Sequence, residues 1–265
     1  MKLLFLHLSD LHCIDKSSLS SSKIKGIKKA IKALYDANSF DEAFIFFTGD
    51  LSNSGQKEQF NIVEQFFMTI YNYLLSFTNG NRVHLAIVPG NHDINFNNVE
   101  QTRKNIKFSL NENTNNSLAN YINKMDNFFE FAKKFNCFEK GNKLVDVIKT
   151  SKTDFNLKIN LINTAPFSVY SKEINPDNDI GLHYISDKEI NVLTSDNNKY
   201  DLKITLMHHS PEFFDEESKN RLNKFLKHEN GILLLGHEHI DKNITIEEDG
   251  KKSKRFTGGP FSDNH

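Results

Sequence analysis

The sequence predicts an α/β fold in which a parallel sheet is covered by helices, and two observations indicate it. Short apolar runs recur at residues 2–8, 43–48 and 83–88, each too short to be a helix. The segments between them carry apolar residues three and four positions apart, which is typical of amphipathic helices. Strand–helix–strand–helix–strand order favours parallel strands with helices packed on the sheet.

The remaining elements follow the same two periodicities. Residues 95–140 predict a mainly helical insertion: their first part is rich in Asn, Thr and Ser, and helical spacing returns from Leu118 to Phe135. Further strands are expected at 143–149, 157–163, 202–207 and 231–235, helices at 187–193 and 215–228, and a final strand pair at 242–248 and 254–258 around the turn at Asp249–Gly250.

Composition limits the class of protein. The chain has 265 residues, 38% of them hydrophobic and 25% charged, with a net charge of −1. This balance carries no overall signature of a nucleic-acid or membrane partner, and no run approaches the roughly 18 apolar residues of a membrane span. Two cysteines, Cys13 and Cys137, cannot build a disulfide framework, so we expect a cytoplasmic protein with reduced thiols. We find no interdomain linker and predict one domain over residues 1–265.

Polar side chains able to bind metals follow five of the apolar runs. In chain order they are Asp10-Leu11-His12, Gly49-Asp50, Gly90-Asn91-His92-Asp93, His208-His209 and Gly236-His237-Glu238-His239. In open α/β sheets the ligand crevice lies outside the carboxyl ends of the strands. Taken singly, each cluster has an ordinary interpretation as a turn, a cap or a buried histidine. Their joint occurrence on successive strand ends predicts one shared site.

This set resembles the calcineurin-like metallophosphoesterase family, whose pattern is D-x-H, G-D, G-N-H-(D/E), H and G-H-x-H. The resemblance runs from residue 2 to about residue 259 and includes the segment GLHYISDKEINVL that begins at Gly181. It implies a four-layer α/β/β/α sandwich, with two central mixed sheets flanked by helices. The insertion at 95–140 departs from the minimal family pattern.

The resemblance also implies two divalent metal ions that share a carboxylate, Asp50. The first ion is assigned Asp10, His12, Asp50 and His239, and the second Asp50, Asn91, His208 and His237. Nitrogen and oxygen ligands suit Mn, Fe, Zn or Co without choosing among them. Two neighbouring histidines follow the strand at 202–207, and His209 has the more usual spacing to Pro211. We prefer His208 as the ligand because it directly follows the apolar run, and expect His209 beside the substrate or behind the ligands.

Two further residues receive catalytic roles from the resemblance. His92 is implied to contact the phosphate and protonate the leaving oxygen, and Asp93 to orient the His92 ring. Imidazole is the usual proton donor near neutral pH. The expected reaction is hydrolysis of a phosphodiester by in-line attack of a hydroxide that bridges the metals. The loop LSNSG after Asp50 is similar to that of the cyclic-nucleotide-phosphodiesterase branch.

Other functions compete with this one. A DNA or RNA nuclease similar to the metallophosphoesterase subunit of the double-strand-break repair complex requires a basic groove, which the near-neutral charge does not favour. A phosphomonoesterase is a third catalytic option. A metal-binding scaffold without activity is disfavoured because all seven ligand positions are filled.

The expected partner is a phosphoester substrate, which includes nucleotides and nucleic acid. No membrane partner is expected, and the sequence leaves the oligomeric state open. The ending FTGGPFSDNH, without a terminal helix, is compatible with a catalytic module of a longer protein.

Overall fold

A computed structural model describes most of the chain. The described residues are 1–78, 82–95, 114–152, 155–168, 179–196, 198–248 and 251–261. They form two β-sheets, one of three strands and one of six, together with six α-helices. None of the described helices is long and apolar enough to cross a bilayer.

The three-stranded sheet is parallel in all its described strands and contains the first three predicted strands. β1 is Leu3–Leu8, β2 is Glu42–Thr48 and β3 is Val83–Val88, in the order β1-β2-β3. Every residue of β2 is buried, as expected of a central parallel strand covered on both faces. Because the strands are parallel, their carboxyl ends lie at one edge of the sheet.

The six-stranded sheet is mixed. Its strands, in the order β4-β5-β6-β7-β9-β8, are β4 Val145–Lys152, β5 Phe155–Ile162, β6 Leu202–Met207, β7 Ile232–Leu235, β9 Lys251–Thr257 and β8 Lys242–Glu248. The four inner strands are parallel to one another, and β4 and β8 pair antiparallel at the two edges. The predicted turn at 249–250 lies outside the described residues.

Helices cover the outer faces of both sheets. They are α1 Ser21–Ala37, α2 Lys57–Leu75, α3 Thr114–Asn123, α4 Asp126–Lys133, α5 Asp187–Thr194 and α6 Glu216–Glu229. Side-chain caps fix where some of them begin. The Ser20 hydroxyl accepts a hydrogen bond from the backbone N–H of Lys23, and Asp215 accepts from the N–H groups of Glu217 and Ser218.

Two apolar clusters make the sandwich four layers deep. Phe67 of α2 contacts Phe47 of β2 and Phe131 of α4, with ring centroids 5.3 and 5.7 Å apart. The same cluster continues between the sheets, where buried residues of β5 and β6 join it. On the far side, Leu193 of α5 and Leu222 of α6 pack on the six-stranded sheet. The predicted α/β/β/α sandwich is therefore confirmed. The six-stranded sheet is mixed as expected, whereas the three-stranded sheet is parallel in all its described strands.

The predicted insertion is mainly helical where it is described, with turns at 134–140. Helices α3 and α4 occupy 114–133, and residues 96–113 lie outside the described part of the chain. Phe128 and Phe131 are buried against the core of the three-stranded sheet, so α4 belongs to the outer helical layer. Whether residues 1–265 form one domain stays a prediction.

Candidate metal centre

The polar clusters after β1, β2, β3, β6 and β7 meet at the carboxyl ends of their strands. Backbone hydrogen bonds hold the turns beside each other. The N–H of Asp10 donates to the Gly49 carbonyl at 3.1 Å, and the N–H of His12 donates to the Asp50 carbonyl at 2.9 Å. The N–H of Gly236 donates to the His208 carbonyl at 3.1 Å, which joins the two turns of the other sheet. Backbone hydrogen bonds alone therefore fix the relative positions of these strand ends.

One group of ligand atoms comes from Asp10, His12 and His239. The Nε2 atom of His239 lies 3.3 Å from Oδ1 of Asp10 and 3.4 Å from Nε2 of His12. The ligand atoms of the three residues all lie within 4.8 Å of one another. This group contains three of the four residues that the resemblance assigns to the first ion.

A second group is centred on His208. Its Nε2 atom lies 3.1 Å from Oδ1 of Asn91 and 3.3 Å from Oδ2 of Asp50. The ligand atoms of His208, His209 and His237 lie within 4.8 Å of one another. The four residues assigned to the second ion are therefore brought together.

Asp50 faces both groups with a single oxygen. Its Oδ2 atom lies 3.3 Å from Nε2 of His208 and 3.7 Å from Nε2 of His12. Its Oδ1 atom accepts the backbone N–H of His92 at 2.8 Å, which fixes the orientation of the carboxylate. A carboxylate so placed has the geometry that a ligand shared by two cations requires.

The two neighbouring histidines after β6 differ in their surroundings. The Nδ1 of His208 lies 2.6 Å from the Thr48 carbonyl, which can only accept, so Nδ1 carries the proton and Nε2 is left as a ligand atom. The ring of His209 instead contacts the hydroxyls of Thr164 at 2.7 Å and Ser168 at 3.2 Å. The geometry thus favours His208 over His209 as the ligand beside Asp50.

The His92 ring is oriented by a backbone carbonyl. Its Nδ1 atom lies 2.9 Å from the carbonyl oxygen of Asn53, which can only accept a hydrogen bond. The proton therefore sits on Nδ1 in the neutral ring, and Nε2 is available to a bound substrate. His92 is partly exposed, and its ring centroid lies 4.5 Å from that of His12, next to the first ligand group.

Asp93 occupies a different place from the one that the resemblance implied. Its carboxylate is fully buried and accepts the N–H groups of Leu51, Ser52 and Gly90 at 3.2, 2.8 and 2.9 Å, and the Ser52 hydroxyl at 3.0 Å. These bonds tie the turn after β2 to the turn after β3. The structure therefore corrects the orienting contact: the Asn53 carbonyl makes it, and Asp93 holds the two turns together.

Backbone conformation sets the ligand residues apart from the rest of the fold. Eight non-glycine residues described have positive φ, and five of them are predicted ligands: Asp10, His12, Asp50, His237 and His239. Non-glycine residues rarely adopt this left-handed region, because each such residue costs about 1–3 kcal/mol and persists only where its surroundings enforce the conformation. Such outliers are typical of functional sites, where the backbone is held to aim a side chain.

Two glycines leave room for the ligands. A Cβ atom on Gly90 would collide with the Asp50 carboxylate, and one on Gly49 would collide with Nδ1 of His208. Gly49 also has a φ of +97°, which side chains disfavour. The glycines of the G-D and G-N-H-D motifs are therefore required by close packing around Asp50.

Opposite charges set the ionisation of Asp50 and His208. Burial alone would raise the pKa of Asp50, but the His208 and His92 rings hold it well below its usual value. Burial would lower the pKa of His208, but the Asp50 carboxylate raises it to about 9. In the metal-free protein the two side chains therefore form a buried ion pair.

The other two strand-end histidines have opposite shifts. Burial, assisted by the charge of His208, lowers the pKa of His237 to about 3, so this ring is neutral at physiological pH. The hydrogen bond to Asp10 raises the pKa of His239. A neutral imidazole is the form that binds a cation, so His237 needs no proton removed, whereas His208 does.

The donor set fits two divalent cations. It contains carboxylate, amide and imidazole atoms only, and the carboxylates of Asp10 and Asp50 are buried beside imidazole nitrogens that point at them. The partly exposed side chains of Asn91, His92, His237 and His239 form the open side. A hard or borderline cation is the group that suits such ligands. Among the described residues, the open side is where a phosphate can approach.

Several groups that shape the site were missed by sequence reasoning. The carbonyls of Thr48 and Asn53 orient the His208 and His92 rings, and Ser52 secures Asp93. Every residue type has a backbone carbonyl, so nothing in the sequence identifies those of Thr48 and Asn53 as partners of the histidines. Ser52 lies in the loop after Asp50, where a serine was visible but its partner was not.

Comparison with known proteins agrees with this geometry. The profile of the calcineurin-like phosphoesterase family matches residues 3–241. No curated protein matches the chain. Among solved structures, vacuolar protein sorting 29 from Cryptosporidium parvum is similar over 98% of this chain and 75% of that one, with 12% identity and a TM-score of 0.35. Since the profile spans nearly the whole sequence and its strand ends carry the site, the chain belongs to the calcineurin-like phosphoesterase family.

Proposed function

We propose that this protein is a dimetal-dependent phosphoester hydrolase that acts on phosphodiesters. The observation that carries the proposal is the position of Asp50, whose Oδ2 faces His12 on one side and His208 on the other. Family membership and the ligand groups support hydrolysis of a phosphoric ester. The preference for a diester is supported by the similarity of the loop after Asp50 to that of the cyclic-nucleotide-phosphodiesterase branch.

Asp10, His12, Asp50 and His239 would hold one cation, and Asp50, Asn91, His208 and His237 the other. When bound, such a pair supplies the nucleophile by lowering the pKa of water and neutralises charge on the phosphate. Manganese, iron, zinc and cobalt all suit these ligands. The neutral amide of Asn91 limits the negative charge of the ligand set, so an anionic substrate is admitted.

His92 would act on the substrate rather than on a cation. Its Nδ1 proton is held by the Asn53 carbonyl, so a second proton on Nε2 makes the ring an acid directed at the open side. Protonation of the leaving oxygen by Nε2 avoids the release of an alkoxide. Asp93 supports this role indirectly, because it fixes the turn on which His92 stands to the turn that carries Asp50.

The substrate is proposed by its chemistry as a phosphodiester, and nucleotides and nucleic acid are the natural classes to test. A cytoplasmic location is part of the proposal, because the two cysteines are free and buried, as in proteins of a reducing compartment. No membrane partner is invoked.

A metal-supplemented turnover screen tests the function. It compares a bis-aryl phosphate, an aryl monophosphate, cyclic nucleotides, and single- and double-stranded nucleic acids, with Mn²⁺, Zn²⁺, Fe²⁺ or Co²⁺ added. We expect hydrolysis of a diester, and a loss of more than about 100-fold in kcat/KM in Asp50→Asn, because the shared ligand is weakened. The matched control is Asp36→Asn on α1, which removes an exposed carboxylate paired with Lys32.

The outcomes separate the candidate functions. A preference for the monoester identifies a phosphomonoesterase, and cleavage of nucleic acid alone identifies a nuclease. Full metal occupancy without turnover on any substrate identifies a scaffold. Equal activity of Asp50→Asn and the parent would remove the basis of the proposed mechanism.

A further inference from the structure

A second cluster of ligand-type side chains lies next to the metal centre but outside its ligand set. It consists of Asp179, His183 and His209, whose ligand atoms all lie within 4.8 Å of one another. The three residues are 4%, 0% and 0% exposed, so the cluster is shut off from bulk solvent. Neither Asp179 nor His183 has a part in the dimetal centre described above.

The His183 side chain is the unusual member. Both of its ring nitrogens are buried, and by distance and angle neither makes a well-formed hydrogen bond to a described residue, although Asp179 and the Thr164 backbone lie beside the ring. Its Nε2 lies 3.8 Å from Oδ2 of Asp179, beyond hydrogen-bond distance. A buried polar side chain is normally satisfied, so a ring without a well-formed hydrogen bond beside a buried carboxylate indicates a group that binds between them.

The His209 ring is already set up to offer a ligand atom. The Thr164 hydroxyl oxygen accepts the backbone N–H of His209 at 3.3 Å and lies 2.7 Å from its Nδ1. In the tautomer whose Nδ1 proton is directed at Thr164, Nε2 is the basic nitrogen that a cation takes in place of the Ser168 hydroxyl 3.2 Å away. A hydrogen bond from the other ring nitrogen orients a metal-ligating histidine.

The backbone that carries Asp179 and His183 is anchored to the turn after β6. The N–H groups of Leu182 and His183 both donate to the Phe213 carbonyl, at 3.1 and 3.0 Å. The N–H of Asp215 donates to the His183 carbonyl at 3.0 Å. The ring centroids of His183 and His209 are 4.2 Å apart. The cluster is therefore held by rigid neighbours on both sides.

We propose that Asp179, His183 and His209 form a third cation site, suited to Zn²⁺ and distinct from the dimetal centre. Two imidazoles and one carboxylate are a typical zinc ligand set, whereas Mg²⁺ and Ca²⁺ prefer oxygen ligands. The cation gives the His183 ring nitrogen a partner beside the Asp179 carboxylate. It ties the Asp179–His183 segment to the end of β6, one residue from His208.

Metal stoichiometry tests the site on the full chain. The protein is stripped with chelator, reconstituted with Zn²⁺, freed of excess metal by gel filtration and analysed by mass spectrometry of the elements. We expect three zinc ions per chain in the parent and two in His183→Gln and Asp179→Asn. Asp50→Asn, which disturbs the dimetal centre, is expected to keep the third ion. Two ions in the parent and in both cluster variants would overturn the proposal.

Crystallography gives a second measurement that needs no variant. Anomalous diffraction at the zinc edge from the reconstituted parent is expected to show a peak among Asp179, His183 and His209, apart from the peaks near Asp50. A water without anomalous signal at that position contradicts the third site. Because the peak is read independently of turnover, the third site stands or falls separately from the proposed hydrolase activity.

Discussion

At the scale of single residues, the site depends on histidine rings in which one nitrogen is hydrogen-bonded to the backbone and the other is left available. The Thr48 carbonyl accepts a hydrogen bond from Nδ1–H of His208, and the Asn53 carbonyl accepts one from Nδ1–H of His92. Both rings therefore present Nε2, one toward Asp50 and the other toward the open side. The two histidines are thus proposed to have different roles because of their positions, His208 as a metal ligand and His92 as an acid.

The acid role of His92 predicts a dependence on the leaving group. In His92→Asn we expect kcat for an alkyl phosphodiester to fall by about 10²–10⁴-fold, because the alkoxide needs a proton as it departs. A nitrophenyl diester, whose phenolate leaves without protonation, is expected to lose far less. The measurement is kcat for a series of diesters of rising leaving-group pKa. Equal losses across the series would show that His92 acts through binding instead.

The ligand residues were predictable from the sequence and the bonds around them were not. Asp10, His12, Asp50, Asn91 and His208 stand directly after apolar runs, so their convergence follows from strand direction alone. Asp93 shows the limit, because the spacing G-N-H-D fits a contact with His92 and equally fits a contact with the turn at Leu51–Ser52. Only the tertiary packing, which places Leu51 and Ser52 within reach, decides between them.

At the scale of elements, β5, β6 and α6 are joined by a buried charge cluster. Lys158 of β5 donates to Glu229 of α6 at 3.0 Å and to the Leu193 carbonyl at 2.7 Å, and its side chain is only 2% exposed. Lys203 of β6 donates to the other oxygen of Glu229 at 3.0 Å. The last residue of α6 is thereby fixed to two neighbouring strands of the six-stranded sheet.

This cluster predicts a large cost when one partner is removed. In Glu229→Gln we expect the free energy of unfolding to fall by about 3–5 kcal/mol, because Lys158 is left buried without a counter-charge. The double variant Lys158→Met/Glu229→Gln is expected to recover part of the loss. Urea denaturation measures both. The control is Glu64→Gln, whose partly exposed pair with Lys134 contributes at most about 1 kcal/mol.

Hydrophobic periodicity predicted where the strands and helices lie, but not the residues at which they begin and end. The predicted strands at 43–48, 83–88 and 202–207 agree with β2, β3 and β6, because each is an unbroken apolar run. β4 extends to Lys152, where the sequence is polar and no apolar pattern remains. It does so because every residue of β4 pairs with one of β5, and cross-strand hydrogen bonds outweigh the weak local preference there.

At the scale of the whole molecule, the two sheets supply opposite halves of the centre. The three-stranded sheet carries Asp10, His12, Asp50 and Asn91, and the six-stranded sheet carries His208, His237 and His239. The order of strand ends was readable from the sequence. That the strands divide between two sheets came from the family resemblance, because periodicity reports which residues are buried and not which sheet covers them.

This division links metal binding to stability. We expect chelation to lower the melting temperature, since cations that bind only the folded state stabilise it by about 2.7 kcal/mol at 100 times their Kd. The difference between loaded and stripped protein should widen as pH rises toward about 9, the raised pKa of His208. As pH rises from the unfolded pKa of His208 to about 9, the stripped protein progressively loses the stability that the His208–Asp50 ion pair contributes. In the loaded protein that proton has already left, so it has no such loss.

Thermal unfolding with and without chelator, at several pH values, measures this difference. Asp36→Asn serves as the control and is expected to behave as the parent. A melting temperature that is unchanged by chelator at every pH would show that the two sheets are held together without help from the cations.

The left-handed backbone at His12 and His239 has a consequence for laboratory evolution. Glycine at either position relieves the steric cost of that conformation and deletes an imidazole in the same step. Selection for thermal stability alone will therefore favour glycine variants that have lost a candidate metal ligand, because stability and activity trade off at these two residues. Laboratory evolution of a more stable variant therefore has to measure turnover as well as stability in every round.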